Sequence, residues 1–242
     1  MADQTSEWKR NAVITAFLRD VRGGIPAAAL QLELIDFVLH SWLERPRCIL
    51  DLGCGDGILG RFLMDRNPEL RCIFADFSDP MLEAARKQLA GNPRATIVKA
   101  DFSSPDWLEA IGTQEPLDAV VSGFVIHHQP DHRKQALYAE IFKRLQTRGV
   151  FLNLEQVASP TVAVEELHHE YFIDCIYAFQ KETNGAASRD AIVQAYATRP
   201  TRHENILASV ETQCDWLRDI GFMDVDCFFK IFELAIFGGR KP

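Results

Sequence analysis

The chain has 242 residues and a formal net charge of −8, with 47% hydrophobic and 25% charged residues. This length and balance suit one globular α/β domain, and a surface that is negative on average disfavours a nucleic-acid substrate because it repels phosphates. No apolar run reaches the roughly 18 residues that a membrane span requires, and the polar residues 1–9 lack a signal peptide's apolar segment. The six cysteines form no C-x-x-C pair, so we expect reduced thiols and a cytoplasmic protein.

Two helices are predicted near the N-terminus, over residues 5–20 and 26–43, with Gly23 and Gly24 between them. From residue 47 onward, short apolar runs alternate with stretches of helical periodicity, which is the pattern of crossover units in a parallel sheet. The predicted strands are 48–52, 72–75, 96–99, 119–122 and 150–154. The predicted helices between them are 58–65, 80–89, 105–111 and 132–145.

The last third of the chain departs from this alternation. Residues 159–208 contain no predicted strand and divide into two helical segments, broken at 183–185 and ended at 199–200. A helix over 209–220 closes at Gly221, and strands over 225–232 and 234–238 follow with so short a link that they must pair antiparallel. The sequence therefore predicts an α/β fold: a Rossmann-like, mostly parallel seven-stranded sheet with an antiparallel last strand, in a single domain over 1–242.

Glycines alternate in the loop after the first predicted strand, at Gly53, Gly55 and Gly57. Glycine permits a sharp turn and lets a ligand approach the backbone, and the following helix offers unpaired N–H groups. The loop also contains a literal G-x-G-x-x-G that ends at Gly60, the weak signature of a dinucleotide site. Its frame is wrong for that site, because Gly53 ends the strand and Gly60 falls inside the helix.

The charges around this loop also argue against a dinucleotide. Asp51 and Asp56 flank the glycines, and no Lys or Arg lies between them. Two carboxylates would repel a pyrophosphate but attract a cationic ammonium group. They therefore predict a ligand that carries an ammonium and no phosphate, such as S-adenosylmethionine.

The loop resembles the first motif of the class I S-adenosylmethionine-dependent methyltransferases, and further motifs of that family follow in order near the strand ends. The resemblance implies cofactor contacts at Asp51, Gly53, Cys54, Gly55, Asp76, Phe77, Met81, Asp101, Phe102 and Ser122. It implies that Asp76 holds the ribose hydroxyls and that Asp101 accepts a hydrogen bond from the adenine amino group. Before the fifth strand, Thr147 and Arg148 replace the Pro and first Gly of the family's L-x-P-G-G turn.

The resemblance implies methyl transfer to a small-molecule acceptor, which needs a general base only if the acceptor must lose a proton. His127 and His128, after the fourth strand, are the catalytic candidates, unless one of them caps the helix that begins near Pro130. With His132 they form an H-H-x-x-x-H pattern. No carboxylate or cysteine completes a metal-binding set at a known spacing, so no metal is expected.

Substrate contacts are predicted at Glu155, which ends the fifth strand, and at His169 and Tyr171. The last two lie in a helical insertion over 158–208, which combines aromatic side chains with few charges along one face. This composition predicts either a lid over the active site or a homodimer contact. The remaining parts are N-terminal helices (1–44), a cofactor-binding core (45–157) and a C-terminal helix with two strands (209–242).

Three alternatives to methyl transfer follow from the same residues. The stretch from residue 209 to residue 229 is also similar to carboxy-S-adenosylmethionine synthase, which needs a cation to hold an added carboxylate, and Arg199 and Arg202 lie nearby in the sequence. A non-catalytic S-adenosylmethionine-binding domain is the second alternative. An NAD oxidoreductase, favoured only by the G-x-G-x-x-G, is the third.

Overall fold

The computed structural model describes residues 6–112, 115–183 and 188–242. The strands in these ranges are β1 (Cys48–Leu52), β2 (Arg71–Asp76), β3 (Ala95–Lys99), β4 (Leu117–Gly123), β5 (Leu145–Gln156), β6 (Met223–Ile231) and β7 (Leu234–Arg240). The α-helices are α1 (Asn11–Ala16), α2 (Ala28–Trp42), α3 (Ile58–Arg66), α4 (Asp79–Gln88), α5 (Trp107–Ala110), α6 (Asp131–Arg144), α7 (Val162–Thr183), α8 (Arg189–Ala197) and α9 (Val210–Ile220). The predicted helix break at 183–185 falls largely outside the described residues, as does the predicted first helical residue, 5.

The strands form one sheet in the order β3-β2-β1-β4-β5-β7-β6. Strands β1 to β5 pair in parallel, whereas β7 pairs antiparallel with both β5 and β6. This confirms the predicted fold class. The strand order reverses at β1, which lies between β2 and β4, so a crevice for ligands is expected beyond the carboxyl ends of β1 and β4.

The central strands of the sheet are buried on both faces, which explains why they are continuous apolar runs rather than alternating ones. Ile49 and Leu50 point to opposite faces of β1, and both are fully buried. Leu50 shares an apolar cluster with Leu137 of α6 and Leu217 of α9. Ile49 shares another with Leu63 of α3. Each face of the central strand is therefore covered by its own layer of helices.

The N-terminal segment differs from the single helix predicted over 5–20. It consists of a 3-10 turn at Glu7–Lys9, α1, a π-helical turn at Phe17–Val21 and a 3-10 turn at Arg22–Gly24. The last turn lies against α7 so closely that a Cβ on Gly24 would be 2.8 Å from Ile176 Cα. Contact with the insertion, rather than the periodicity of the segment itself, thus determines its conformation. The next helix, α2, begins at Ala28 instead of residue 26.

The insertion contains α7 and α8, which match its two predicted helical segments, and then a 3-10 turn at Pro200–Glu204. α7 packs against α8 and against the N-terminal turns at 17–24. The insertion and the N-terminal segment therefore pack together as one unit. Within the described ranges, no helix combines the length and hydrophobicity that crossing a membrane requires.

Arg148 lies within β5 rather than in the predicted turn before it, at a position where the family that the sequence resembles has glycine, and its φ is +66°, in the left-handed region. A side chain is disfavoured there because its Cβ approaches a carbonyl oxygen. We predict that Arg148→Gly raises the free energy of unfolding by about 0.5–1 kcal/mol, because relief of this strain outweighs the entropy that glycine adds to the unfolded chain. Urea unfolding at neutral pH measures the change.

Thr147 is the matched control for this substitution, since it is exposed, adjacent and has no positive φ. Thr147→Gly should lower the free energy of unfolding by about 0.5–1 kcal/mol. If both substitutions destabilise the protein equally, the left-handed strain at Arg148 is not a significant cost.

Candidate functional site

The loop after β1 is held against β2 by its backbone. The N–H groups of Gly53 and Cys54 donate to the carbonyl of Ala75, at 2.7 and 3.0 Å. Gly53 has φ +69°, and a Cβ there would lie 2.3 Å from the side chain of Val125, so a larger residue does not fit. Gly55 has φ +56°, and its Cβ would meet only the Met81 sulfur, at 3.8 Å. The backbone of Gly55 therefore borders open space.

A cavity of about 520 Å³, here called the first cavity, lies beside this loop. Most of the predicted cofactor residues line it: Asp51, Gly53, Cys54, Gly55, Asp76, Phe77 and Met81. The N-terminal segment adds Trp8, Phe17 and Arg22 to the wall, and α7 adds Phe179. The volume is typical of a site that encloses most of a small ligand.

Asp76 ends β2 and is 4% exposed. Its Oδ2 accepts the N–H of Gly55 at 2.9 Å, and its Oδ1 accepts the N–H of Ser78 at 2.8 Å. Burial raises the pKa of this carboxyl, and the two hydrogen bonds oppose the shift. A carboxylate offers about four acceptor positions, so both oxygens retain capacity for hydroxyl groups of a ligand.

The two carboxylates that flank the loop also have partners within the protein. Asp51 is 1% exposed and accepts the N–H of Gly60, in α3, at 2.9 Å. Burial raises the pKa of Asp51 to about 7, and the charges of Asp76 and Asp56 add to the shift. Asp56 forms an ion pair with Arg22 of the N-terminal segment. The charge of the loop is thus balanced by an arginine that lies far away in the sequence.

The other predicted cofactor residues do not line the first cavity. Asp101 is exposed, and its Oδ1 accepts the N–H of Ser103 at 3.0 Å. Phe102 is 2% exposed and belongs to the apolar core. Ser122 is fully buried, and its hydroxyl donates to the carbonyl of Leu52 at 2.9 Å, which ties β4 to β1. Cofactor contacts at Asp101, Phe102 and Ser122 stay predictions.

A second cavity, of about 600 Å³, adjoins the first. Both are lined by Trp8, Phe17, Ile25, Phe124 and His128, so the two cavities meet just beyond the end of β4. The N-terminal segment, α7, α8 and the turn after α8 supply most of the remaining wall. Phe124 has φ +55°, which a bulky residue rarely adopts, so its surroundings must hold it at this junction.

Of the predicted catalytic residues, His127 lines the second cavity and His128 lines both. The Oε1 of Glu155 is 2.5 Å from His127 Nδ1, and its Oε2 accepts the His127 backbone N–H at 2.9 Å. Because the carboxylate only accepts, Nδ1 donates to it, and Nε2 is the ring nitrogen without a bond to Glu155. Glu155 itself is fully buried and lines neither cavity, so it contacts His127 rather than the space for a ligand.

His128 lies beside His127, with 4.0 Å between the ring centroids. Burial lowers the pKa of His128 well below its ordinary value, and His127 lowers it further, so the ring is neutral at neutral pH. Neither histidine caps α6, whose N-cap position is Pro130 and has no side-chain hydrogen bond. His132, the third member of the sequence pattern, is exposed on α6.

Comparison with known proteins agrees with this geometry. Residues 49–149 match the family model described as a methyltransferase domain. A trans-aconitate 2-methyltransferase from Acidovorax sp. is 28% identical over 78% of this chain and 72% of that protein. A carboxy-S-adenosyl-L-methionine synthase from Nautilia profundicola is 23% identical over 88% of this chain and 85% of that protein. An O-methyltransferase family protein from Burkholderia thailandensis superposes with a TM-score of 0.65, at 15% identity over 96% of this chain. Residues 49–149 therefore form an S-adenosylmethionine-dependent methyltransferase domain.

Some relatives are considerably longer than this methyltransferase. It spans 59% of the Burkholderia chain. It spans 32% of a ribosomal RNA large subunit methyltransferase G from Alteromonas mediterranea, to which it is 30% identical over 134 residues. The similarity to that enzyme covers only 55% of the present chain.

In the insertion of this methyltransferase, the two residues predicted to contact substrate do not line the cavities, whereas their neighbour His168, another lid candidate from the sequence, does. His169 and Tyr171 line neither cavity, and Tyr171 is 42% exposed. His168 is 1% exposed and lines the second cavity together with Phe172 and Ile176. These three residues recur at intervals of four, the spacing of one helix face, and this spacing distinguishes His168 from His169.

The buried Asp51 leads to a prediction about pH. Its pKa is about 7 in the folded protein but about 3.9 in an unfolded chain. Between these values the folded protein keeps a proton that the unfolded chain has lost, so this group lowers the free energy of unfolding as pH rises, by an amount on the order of 3–4 kcal/mol. Asp51→Asn retains an oxygen acceptor for Gly60 and removes the titration. Urea unfolding from about pH 4.5 to about pH 7.5 should show a smaller decline in stability for this variant than for wild type.

Asp65→Asn, on the exposed side of α3, is the control for the loss of one carboxylate. Its stability should follow the wild-type dependence on pH. The same dependence in Asp51→Asn and Asp65→Asn would contradict a raised pKa at Asp51.

Proposed function

We propose that this methyltransferase transfers a methyl group from S-adenosylmethionine in the first cavity to a small-molecule acceptor in the second. The observation that carries the proposal is the shared wall, since Trp8, Phe124 and His128 border both cavities. Donor and acceptor must be in contact and aligned for an in-line displacement, which adjoining cavities allow. The size of the second cavity and the similarity to the trans-aconitate enzyme both support a small acceptor.

The lining of the first cavity fits this cofactor. Gly55 exposes backbone where a side chain would project into the cavity, and Asp76 has acceptor positions left for ribose hydroxyls. Phe77 and Met81 supply an apolar surface on which adenine could lie. When bound, the cofactor would supply a methyl group that its sulfonium makes electrophilic.

His127 is the general base in this proposal, for an acceptor whose hydroxyl or amine must lose a proton. Its Nε2 has no hydrogen-bond partner in the described parts of the chain, and the ring lines the acceptor cavity. Glu155 is a positioning residue: it keeps the other ring proton on Nδ1 and stabilises the imidazolium that forms when Nε2 takes a proton. The neutral His128 beside it adds no positive charge that would oppose this step.

The insertion acts as a lid together with the N-terminal segment. The Glu204 carboxylate, near the end of the insertion, accepts hydrogen bonds from Ser6 Oγ and from the Glu7 N–H, both at 2.7 Å. On α7, Gln180 donates to the carbonyl of Asp20 at 2.8 Å. A cover joined in this way excludes water from the reacting groups, which favours the lid over a dimer contact.

Carboxy-S-adenosylmethionine synthase activity is a second candidate, because its product carries a carboxylate that a cation must hold. Arg199 lines the second cavity and lies 3.8 Å from the ring centroid of Tyr196. It forms no ion pair with a carboxylate in the described residues, and burial lowers its pKa. Mass spectrometry of the ligand that co-purifies separates the two activities: unmodified S-adenosylmethionine or S-adenosylhomocysteine supports methyl transfer, and a carboxylated form supports the synthase.

We predict that Asp76→Ala weakens binding of S-adenosylhomocysteine by roughly 2–4 kcal/mol, because charge-assisted hydrogen bonds to the ribose are lost. Isothermal titration calorimetry measures this change, and thermal unfolding checks that the variant is folded. Asp79→Ala is the control, since that side chain is 70% exposed and pairs with Lys99 at 2.7 Å. An Asp76→Ala protein that binds as tightly as Asp79→Ala would show that the ribose is held elsewhere.

We predict that His127→Ala lowers kcat by about 10²–10⁴-fold for a hydroxyl acceptor, because proton removal from the acceptor is lost. A screen of small molecules that detects S-adenosylhomocysteine formation supplies the acceptor for this measurement. Binding of S-adenosylhomocysteine should be unchanged, as should the kcat of His132→Ala on α6. Glu155→Gln should lower kcat and shift the pH profile of kcat. Full activity of His127→Ala across the pH range would rule out a general base at this position.

A further inference from the structure

A third imidazole in the second cavity, that of His168, has no role in the chemistry described so far. His168 lies on α7, is 1% exposed and lines the second cavity. Phe172 and Ile176 line the same wall one and two turns further along the helix. A polar ring on this largely apolar wall requires hydrogen-bond partners, since buried polar groups without them are unfavourable.

One nitrogen of His168 faces a fixed carboxylate. Its Nε2 is 3.5 Å from Oε2 of Glu233, which is 2% exposed. Gln156 Nε2 donates to Oε2 of Glu233 at 2.8 Å, and Ser159 Oγ donates to Oε1 at 2.8 Å, so the carboxylate cannot easily turn away. A carboxylate only accepts hydrogen bonds, so the ring proton belongs on Nε2.

The other nitrogen, Nδ1, is buried and has no hydrogen-bond partner in the described residues. Burial lowers the pKa of His168 to about 4, and the neighbouring charges of His169 and Arg199 contribute, so the ring is neutral at neutral pH. A neutral ring with its proton on Nε2 leaves Nδ1 as a lone-pair acceptor. The described residues therefore provide a hydrogen-bond acceptor, Nδ1 of His168, but no hydrogen-bond donor to it.

We propose that His168 determines acceptor specificity by accepting, at Nδ1, a hydrogen bond from a hydroxyl or N–H group of an otherwise apolar small molecule in the second cavity. This inference rests on the proposed function, because it places the methyl acceptor in that cavity. His127 and His168 then have different roles, and each contacts a buried glutamate. His127 faces the group that reacts, and His168 selects the molecule that carries this group.

Phenol and toluene test this proposal, because they have nearly the same shape and only phenol has a donor. The probes are titrated by calorimetry into the complex with S-adenosylhomocysteine, and the measured quantity is the ratio of the toluene Kd to the phenol Kd. We expect His168→Phe to lower this ratio by about tenfold relative to wild type, which corresponds to about 1.4 kcal/mol. His169→Phe is the matched control, since His169 is adjacent and lines neither cavity; it should leave the ratio within about twofold of wild type.

A measurement on the unsubstituted protein covers the case in which His168→Phe does not fold. In ¹⁵N NMR of histidine-labelled wild-type protein, phenol should shift the Nδ1 resonance of His168 and toluene should not. An unchanged ratio in folded His168→Phe, an unaffected Nδ1 resonance, or no binding of phenol by wild type would each overturn the proposal. Failure of wild type to bind S-adenosylhomocysteine contradicts the proposed function instead, and calorimetry without the probes detects it separately.

Discussion

The hydrogen bonds from the Gly53 and Cys54 amides to the carbonyl of Ala75 determine where the ligand-facing groups of the core lie. They bring the loop after β1 against the end of β2, so that the Gly55 N–H reaches the Asp76 carboxylate. The same turn leaves room beside Gly53 for Val125, which a single added Cβ would displace. The backbone of this glycine-rich loop therefore fixes one wall of the first cavity and the position of the junction between the two cavities.

The sheet supplies the polar groups of the site, and segments at its periphery supply the enclosure. Asp76 and Glu155 stand at or near the carboxyl ends of β2 and β5, and Glu233 directly precedes β7. Their carboxylates lie against backbone amides or imidazoles, where they orient other groups. The apolar walls come from the N-terminal segment and the insertion, which meet each other more than they meet the sheet.

Features that depend on neighbouring residues in the sequence could be predicted, whereas features that depend on contacts between distant segments could not. Strand β1 is predicted to the residue, because a strand buried on both faces is an apolar run whatever its neighbours are. The positions of Asp76 and the glycine-rich loop were likewise predictable, because each comes at the end of a predicted strand. The partner of Asp56 could not be predicted, since Arg22 lies 34 residues earlier and reaches it only when the N-terminal segment folds over the loop. His127 and Glu155 are both visible in the sequence, but their pairing depends on β4 and β5 being neighbours in the sheet. Choosing His168 over the adjacent His169 requires knowing which face of α7 lines the cavity. Two adjacent histidines in the sequence do not show which face that is.

Trp8 borders both cavities, and this has a thermodynamic consequence. Polar contacts join the residues around Trp8 to the rest of the chain: the Trp8 carbonyl accepts from Ser78 Oγ at 2.6 Å, and Ser6 and Glu7 bind Glu204. Because Trp8 lines both cavities, a ligand in either one restrains it, and the entropy lost by restraining it is lost only once. The second ligand then binds to a segment that is already ordered. Under the proposed function, binding of donor and acceptor is therefore coupled with positive cooperativity through Trp8, in addition to their own contact and without any movement of the sheet.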